Sequence, residues 1–326
     1  MKKLLGTNNL FSEAAQTSRI KGFWKVTLIF LAVFEVGSAI SSVIVIGPTM
    51  YYMLTSDVVR DILMGNYNPY EGIMGIVGLV TNSMPPWLLL VSLFATVGTY
   101  VPVLIYCTKI ERRPLRTLGF TKQGAIREYA VGLGIGLLMF GAVYGMMLLS
   151  GQAEFAGFSP DISIGMLLLF FLGFMIQGMS EEVLCRGFYY VSAGVTNPVA
   201  ALFASSAIFS LLHIFNPGVT LLALVNIFLF GVFAALYFLR RGDIWGIGAI
   251  HTIWNFAQGN LFGCSVSGTG NGGSVLLTRF SQESTLFTGG AFGPEGGIAV
   301  TVVLLIGIAV LLPMKNKNHN LQSVCE

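Results

Sequence analysis

Long apolar segments, separated by short polar ones, run through most of the chain. A helix needs about 20 apolar residues to cross the hydrocarbon core of a bilayer, and eight segments approach or exceed that length. The pattern therefore predicts an all-α fold, a polytopic membrane bundle of about eight transmembrane helices. The predicted spans are 24–48, 84–107, 128–149, 162–190, 197–214, 218–239, 243–262 and 296–313.

Three apolar segments differ in length from a simple span. Residues 72–82 are too few to cross a bilayer, so we interpret them as a half-helix or an interfacial piece. Residues 162–190 are longer than a span requires, which leaves room for a break near the polar residues that they carry. The first apolar run, 23–47, is longer than the core of a signal peptide, about 7–15 residues, and we predict that it is a spanning helix.

The composition agrees with a chain that lies almost entirely within a membrane. Hydrophobic residues make up 54% of the chain and charged residues 10%, whereas soluble domains carry about 25% charged residues. So few charges cannot cover a water-exposed surface of this size, which excludes a soluble protein. Most of the 40 glycines lie in apolar runs and predict close helix contacts, because small residues let helix backbones approach each other.

The basic residues predict the orientation of the chain. They cluster before the first span, between the second and third, after the sixth and after the last, and with eight spans all four clusters lie on one side. Since basic loops stay in the cytoplasm, we predict a cell-membrane protein with both termini cytoplasmic. The net charge of +3 thus concerns orientation and does not indicate a nucleic-acid partner. The clusters are Lys2, Lys3, Arg19, Lys21 and Lys25; Lys109, Arg112, Arg113, Arg116, Lys122 and Arg127; Arg240 and Arg241; Lys315 and Lys317.

The chain shows no repeat of fixed period, and we interpret residues 1–326 as a single membrane domain. One long segment interrupts the helical pattern. Residues 263–295 are rich in Gly, Ser and Thr, which predicts an outer loop that is flexible or loosely packed.

A few polar residues lie within the predicted spans, where a charge costs about 2.5–3.5 kcal/mol or more. Two of the three histidines are among them, whereas His319 lies in the charged tail and is expected to be inert. One isolated polar residue is commonly a contact between helices, but a cluster on three neighbouring segments favours a functional site. The residues are Glu35, Gln177, Glu181, Glu182, Arg186, His213, Asn226, His251, Asn255 and Gln258.

The first cluster is Ser180-Glu181-Glu182-Val183-Leu184-Cys185-Arg186. Residues four apart share a helix face, so Glu182 and Arg186 are expected to form an ion pair. Glu181 points elsewhere and is left without a partner in this arrangement, which suits a general acid or base. The alternative is that all three side chains form one buried salt-bridge cluster.

Two further motifs follow on the next spans. Phe209 and His213 share a helix face, and the aromatic ring could shield the imidazole. His251 and Asn255 also share a face and could donate two hydrogen bonds to one oxygen, as in an oxyanion hole. The alternative for this pair is a hydrogen bond between helices, worth about 1 kcal/mol or less.

Several catalytic signatures are missing from the sequence. It contains no H-E-x-x-H zinc motif, no G-x-S-x-G around a serine and no Walker A motif. The sequence therefore gives no sign of a zincin, of a serine hydrolase of that class or of a P-loop nucleotidase.

The three motifs, in this order, resemble those of the CPBP family of CAAX-protease and bacteriocin-processing membrane proteins, also called the Abi family. The family pattern is E-E-x-x-x-R, then F-x-x-x-H, then H-x-x-x-N/D, and here it corresponds to 181–186, 209–213 and 251–255. The resemblance covers about 128–262, which we take as the family core.

The resemblance implies a helical bundle with an intramembrane polar cavity open to the cytosol, and glutamate-dependent peptide hydrolysis. Glu181 and His213 would activate a water molecule. His251 and Asn255 would hold the oxyanion, while Glu182 and Arg186 would order the site.

The same resemblance implies no cofactor, although an older family scheme treats these residues as metal ligands. A Glu/His set could bind zinc, but we disfavour this because no paired-histidine helix motif is present.

One feature of the spacing conflicts with this site. By linear count, Glu181 and His251 lie nearer the cytoplasmic face, whereas His213 lies at the far end of its span, about 24 Å from residue 197. The three can meet only if that span starts deep, tilts or follows an inward loop.

Three functions compete at this point. We favour an intramembrane endopeptidase that acts on a peptide or protein, with lipidated substrates included, and that contacts membrane lipid. The alternative is a non-enzymatic membrane protein, such as a bacteriocin self-immunity factor or a scaffold on the same fold. A transporter with a proton relay would need more ionisable groups along one path, and Glu35 is the only addition to the cluster.

Overall fold

The computed structural model describes residues 9–316 except 19, 21, 67–71, 73–75, 77–78, 81–82 and 282–284. Most of the predicted half-helix at 72–82 falls outside the described residues. So do His319 and several of the charged residues named above, namely Lys2, Lys3, Arg19, Lys21 and Lys317.

The described chain is mostly helical, with two short strands. Its helices are α1 (Asn9–Thr17), α2 (Phe23–Thr55), α3 (Asp57–Leu63), α4 (Pro86–Ala95), α5 (Val97–Ile105), α6 (Ala125–Leu149), α7 (Ile164–Glu182), α8 (Val191–Gly194), α9 (Pro198–Leu211), α10 (Leu221–Arg241), α11 (Trp245–Phe256), α12 (Thr285–Thr288) and α13 (Ile298–Leu311). The strands are β1 (Ala153–Phe158) and β2 (Leu276–Phe280), which pair antiparallel.

Short π-helical and 3₁₀ segments extend or join these helices. Three are π-helical: Tyr106–Ile110 after α5, Val183–Tyr190 between α7 and α8, and Ala257–Leu261 after α11. Three are 3₁₀ turns: Leu115–Leu118, Gly290–Phe292 and Pro294–Gly296. Because the π-helical segment joins α7 to α8 directly, the predicted break within 162–190 is replaced by a local widening of a continuous helix.

Among the described residues, five helical segments are long and apolar enough to cross a membrane, which is the pattern of a multi-pass membrane protein. They are Phe23–Thr55, Pro86–Ile110, Ala125–Leu149, Ile164–Gly194 and Leu221–Arg241. Large apolar side chains on their surfaces are exposed, among them Leu54, Leu138 and Leu168.

The eight predicted spans are not confirmed. Helices α9 and α13 have 14 residues each, and a helix of that length covers about 21 Å of a hydrocarbon core about 30 Å thick. Helix α11 has 12 residues before its π-helical extension. The apolar runs that predicted these spans are therefore longer than the helices within them, because turns at both ends take up the remaining residues.

Helix α11 lies at the centre of the bundle, and its residues from Gly246 to Phe256 are all buried. It packs against α6 and α7. Glycines make this contact possible: a Cβ atom at Gly132 would lie 2.3 Å from the carbonyl oxygen of Gly246, and one at Gly136 would lie 2.4 Å from the Ile253 side chain. The close helix contacts expected from the glycine content are thus present around α11.

The described basic residues of the four predicted clusters gather at one end of the bundle. Arg113 donates a hydrogen bond of 2.6 Å to Oγ of Ser192, which lies on α8. Arg241 at the end of α10 contacts Glu128 at the start of α6, and Arg240 donates to carbonyl groups at the end of α13. We call this region, with residues 108–128, 192–198 and 240–245, the basic end.

The opposite end carries both strands. Helix α6 runs from the basic end to Leu149, immediately before β1. We call this opposite region, formed by β1, β2 and residues 212–220 and 263–297, the sheet end.

Residues 263–295 are tied to the bundle at several described positions, with Cys264, Val266 and Phe292 buried, so the segment is not the loosely packed loop that the sequence predicted. Strand β2 pairs with β1. Asn260 Nδ2 donates to the carbonyl oxygens of Asn271 at 2.9 Å and Gly273 at 2.7 Å. These bonds fasten the segment to the end of α11, a contact that low hydrophobicity and glycine content did not reveal.

Candidate active site

Glu182 and Arg186 form the predicted ion pair. Arg186 Nε lies 3.2 Å from Glu182 Oε2, and Nη1 donates to Oε1 at 3.3 Å. Both side chains are fully buried. The Arg186 guanidinium also lies 4.4 Å from the ring centre of Phe209, which adds a cation–π contact in the buried interior. The pair is therefore an internal support at the point where α7 becomes π-helical.

His251 lies between the two glutamates. Its Nδ1 lies 2.9 Å from Glu182 Oε1, and its Nε2 lies 3.7 Å from Glu181 Oε2. When Nδ1 carries hydrogen it donates to Glu182, which fixes the ring and turns Nε2 toward Glu181. Arg186 contacts Glu182, and Glu182 contacts His251, so the three side chains form a buried row of charge-assisted contacts.

Glu181 is not left without a partner, so that sequence expectation is wrong. Gln177, one turn earlier on α7, donates from Nε2 to Glu181 Oε1 at 2.6 Å. The other oxygen, Oε2, accepts no hydrogen bond from the described residues and faces His251. The Glu181 side chain is 27% exposed, whereas Glu182 is 0% exposed, so the two adjacent carboxylates occupy different environments.

Gln177 also connects Glu181 to Asn255. Asn255 Nδ2 donates to Gln177 Oε1 at 3.0 Å. This leaves a second hydrogen of the Asn255 amide for another acceptor. The sequence identified Gln177 as a polar residue within a span but did not show that it joins two of the motifs.

His213 follows the end of α9, in the turn at 212–217. Its Nδ1 lies 2.8 Å from the carbonyl oxygen of Phe209. A carbonyl oxygen can only accept, so Nδ1 carries the hydrogen and Nε2 is left as a proton acceptor. The Phe209 ring packs edge-on against both His213 and His251, at centroid distances of 5.0 and 6.0 Å. Phe209 therefore shields the imidazole of His213, as the sequence predicted, and it also lines both cavities of the site.

Two neighbouring cavities bring the motifs together. The larger cavity has a volume of about 320 Å³ and is lined by Glu181, His213, Asn255 and Gln177, among others. The smaller cavity, of about 30 Å³, is lined by His213, His251, Asn255 and Gln177. The smaller volume is enough for a water molecule. Glu182 and Arg186 line neither cavity and lie behind the other residues.

The position of these cavities resolves the conflict over depth. His213 does lie at the far end of its helix, at the sheet end, and the larger cavity extends from there to Leu184 and Glu181 deep in the bundle. Its other lining residues include Asn216, Ser267 and Thr269, also from the sheet end. The expectation of a cavity open on the side of the basic residues stays a prediction.

Glu295 is a residue that the sequence placed in an outer loop but not in the site. It lines the smaller cavity together with Ser267. Ser267 donates to Glu295 Oε2 from its backbone N at 2.7 Å and from its Oγ at 2.6 Å. Gln258 Nε2 lies within hydrogen-bond distance of the same oxygen, at 3.3 Å. An acidic residue in a glycine-rich loop carries no sequence signal for such a position.

Asn226 and Glu35 behave differently from the motif residues. Asn226 donates to the carbonyl oxygens of Glu295 and Gly297 and accepts from Thr301, so it joins α10 to the start of α13. Glu35 is exposed on α2 and lines neither cavity. Glu35 was the one further ionisable residue available to a proton relay, and it does not belong to the site.

The described residues contain no group of three or more His, Cys, Asp or Glu side chains placed to hold a metal ion. His251, the histidine nearest the glutamates, directs both ring nitrogens toward carboxylate oxygens. Metal independence stays a prediction.

Comparison with known proteins agrees with the motifs. Residues 163–257 match the family model described as type II CAAX prenyl endopeptidase Rce1-like. The searches of curated proteins and of solved structures found no match. The matched segment begins at the residue before α7, ends just after α11 and contains all three motifs. Residues 163–257 therefore match the CPBP, or Abi, family of CAAX-protease-type membrane proteins.

Proposed function

We propose that this protein is a membrane-embedded endopeptidase that hydrolyses a peptide bond with a water molecule activated by Glu181 and His213. One observation carries the proposal. Glu181, His213 and Asn255 line one cavity, and His251 lies beside Glu181 at its edge, within a segment that matches a protease family.

The reaction can be written with these side chains alone. Glu181 takes a proton from the water, His213 Nε2 accepts the second hydrogen bond of that water, and the hydroxyl oxygen bonds to the carbonyl carbon of the substrate. The free Asn255 amide hydrogen donates to the oxygen that becomes negative, and so does Nε2–H of His251, whose ring carries both hydrogens while Nδ1–H donates to Glu182. The tetrahedral intermediate then breaks at the C–N bond, and the proton held by Glu181 passes to the leaving amine.

The remaining residues of the site act through these. Glu182 and Arg186 hold the His251 ring, and Gln177 sets the distance between Glu181 and Asn255. A general base, a partner histidine and two donors placed around one point are what peptide hydrolysis requires.

Peptide cleavage by the purified protein tests this proposal. Glu181→Gln and His213→Ala are expected to lower kcat by about 10²-fold or more, and the loss appears in kcat because both residues act on the reacting water. Glu154→Gln, on the exposed face of β1, makes the same chemical change away from the cavities and should cleave like the natural protein. Equal activity of Glu181→Gln and Glu154→Gln would refute the proposal.

The substrate in this proposal is a peptide or protein, lipidated or not, that is reached within the membrane. The cell membrane is the proposed location, with both termini in the cytoplasm, since the described basic clusters share one end of the bundle. The bacteriocin self-immunity alternative has no support from the family match or the site.

A further inference from the structure

Glu295 lies beyond the family match, which ends at residue 257. It belongs to the short 3₁₀ turn Pro294–Gly296 before α13. It is half-buried and lines the smaller cavity together with His213, His251 and Asn255. The reaction written above does not use Glu295, so a carboxylate stands beside the candidate site without an assigned role.

The Glu295 carboxylate is connected to the turn that carries His213. Its Oε2 accepts from the backbone N of Ser267 at 2.7 Å and from Ser267 Oγ at 2.6 Å. The carbonyl oxygen of Ser267 accepts from Asn216 Nδ2 at 2.9 Å. Asn216 in turn donates from its backbone N to the carbonyl oxygen of His213 at 3.0 Å. A continuous row of hydrogen bonds therefore joins Glu295 to the histidine.

Ser267 depends on this carboxylate for its conformation. Its φ angle is 47°, in the left-handed region that is costly for a residue with a side chain. Two short hydrogen bonds to a charged acceptor are strong enough to offset that cost. The next residue, Gly268, lies so close to the turn that a Cβ atom there would overlap the carbonyl oxygen of Pro217. A shift of residues 267–268 would therefore move the turn at 212–217.

The same carboxylate oxygen is connected to α11, the helix that carries Asn255. Gln258 Nε2 lies 3.3 Å from Glu295 Oε2 and donates to the carbonyl oxygen of Ser265 at 2.7 Å. Gln258 is fully buried and follows Asn255 by three residues, where α11 becomes π-helical. Glu295 therefore lies at the junction between the turn of His213 and the end of α11.

We propose that Glu295 is a positioning residue that holds the turn of His213 against the end of α11 and so sets the separation of His213 from Asn255. The inference rests on the proposed function, in which His213 acts on the water and Asn255 on the oxyanion. Catalysis of this kind depends on exact placement, since a displacement of about 1 Å can cost about 10²-fold in rate.

Cleavage kinetics of the purified protein test this role. Glu295→Ala removes both connections and should lower kcat by about tenfold or more with little change in KM. Glu295→Gln keeps an oxygen that can accept from Ser267, so its kcat should stay within about threefold of the natural value. Glu154→Ala, which removes an exposed carboxylate from β1, is the matched control and should cleave like the natural protein. An equal loss in Glu295→Gln and Glu295→Ala would overturn the positioning role, because the charge itself would then be required.

Asn216→Ala tests the connection through Ser267. It breaks the same row of hydrogen bonds at another point and should lower kcat in the same direction. The double variant Asn216→Ala/Glu295→Ala should lose less than the product of the two single losses, because both changes act along one route. Losses that multiply in full would overturn the connection.

Histidine NMR tests the positioning without any cleavage. The chain has three histidines, so the signals of ¹⁵N-histidine-labelled protein in detergent can be assigned with His251→Gln and His319→Gln. At pH 8, His213 should show one tautomer, with the hydrogen on Nδ1, because Nδ1 donates to the carbonyl oxygen of Phe209. Glu295→Gln should keep that single tautomer, whereas Glu295→Ala should show a mixture.

The two measurements separate the failure of this inference from the failure of the proposed function. An unchanged His213 signal in Glu295→Ala would overturn the inference, whatever happens to the thermal unfolding midpoint. If the natural protein cleaves and Glu295→Ala cleaves equally well, the inference is wrong while the proposed function stands. If the natural protein cleaves nothing, the proposed function fails, and the NMR signal alone decides whether Glu295 positions His213.

Discussion

His251 Nδ1 lies 2.9 Å from Glu182 Oε1, and both side chains are almost completely shielded from solvent. This contact joins the motif on α7 to the motif on α11. Because the other oxygen of Glu182 lies against Arg186, a change at any of the three leaves a buried polar group without its partner.

The stability of the protein should therefore depend strongly on a positive charge at position 186. Loss of one member of a buried pair costs about 3–5 kcal/mol, so Arg186→Glu should lower the thermal unfolding midpoint in detergent far more than Arg186→Lys. Arg60→Glu is the matched control, since Arg60 and Asp57 form an exposed pair of the kind worth about 0–1 kcal/mol. Equal decreases of the unfolding midpoint at the two positions would contradict a stabilising role of the buried Glu182–Arg186 pair.

Asn255 should matter for the rate rather than for binding. If its free amide hydrogen stabilises the oxyanion, Asn255→Ala lowers kcat by about 10²–10³-fold with little change in KM. Asn66→Ala, at an exposed position, serves as the control. A rise in KM with unchanged kcat would show that Asn255 holds the substrate in its ground state instead.

Cys264 gives a prediction that depends on pH. Burial raises the pKa of its thiol to about 12, so the reactive thiolate is scarce at pH 8. We expect the folded protein to leave Cys264 unlabelled by maleimide at pH 8 and the denatured protein to label it. Because the folded pKa is raised above the ordinary value of 9.0, the contribution of this thiol to stability is complete below pH 9 and falls as the pH rises toward 12. Rapid labelling of the folded protein at pH 8 would contradict the packing of residues 263–295.

Metal dependence can be tested directly. The proposed reaction uses Glu181, His213, His251 and Asn255 without a metal, so cleavage should survive EDTA and 1,10-phenanthroline. Metal analysis of the purified protein provides the control. Stoichiometric zinc that is lost together with activity, and that restores activity when added back, would replace the water-activation scheme with a metal-bound water.

The sequence predicted those features of the site that depend on neighbours along one helix. The pairing of Glu182 with Arg186 is confirmed because residues four apart on a helix must meet, and the π-helical segment begins only after Glu182. The family resemblance is confirmed by the family model that matches residues 163–257. The sequence could show this resemblance because each of the three motifs is a short, continuous stretch of the chain.

Features that depend on the packing of distant segments could not be predicted in this way. Gln177 joins Glu181 to Asn255 only because α7 packs against α11. Glu295 reaches the smaller cavity beside Ser267, far along the chain from the three motifs. The eight-span count is not confirmed for a related reason: hydropathy marks apolar segments, but it does not show where a turn shortens the helix within them.

Hydrolysis of a peptide in H₂¹⁸O by the purified protein and by its Glu181→Gln variant tests the central claim most directly. If Glu181 activates water, the natural protein incorporates ¹⁸O into the new carboxylate of the N-terminal product, and Glu181→Gln loses both cleavage and label by about 10²-fold or more. Cleavage by Glu181→Gln at a rate within about twofold of the natural protein would contradict the claim.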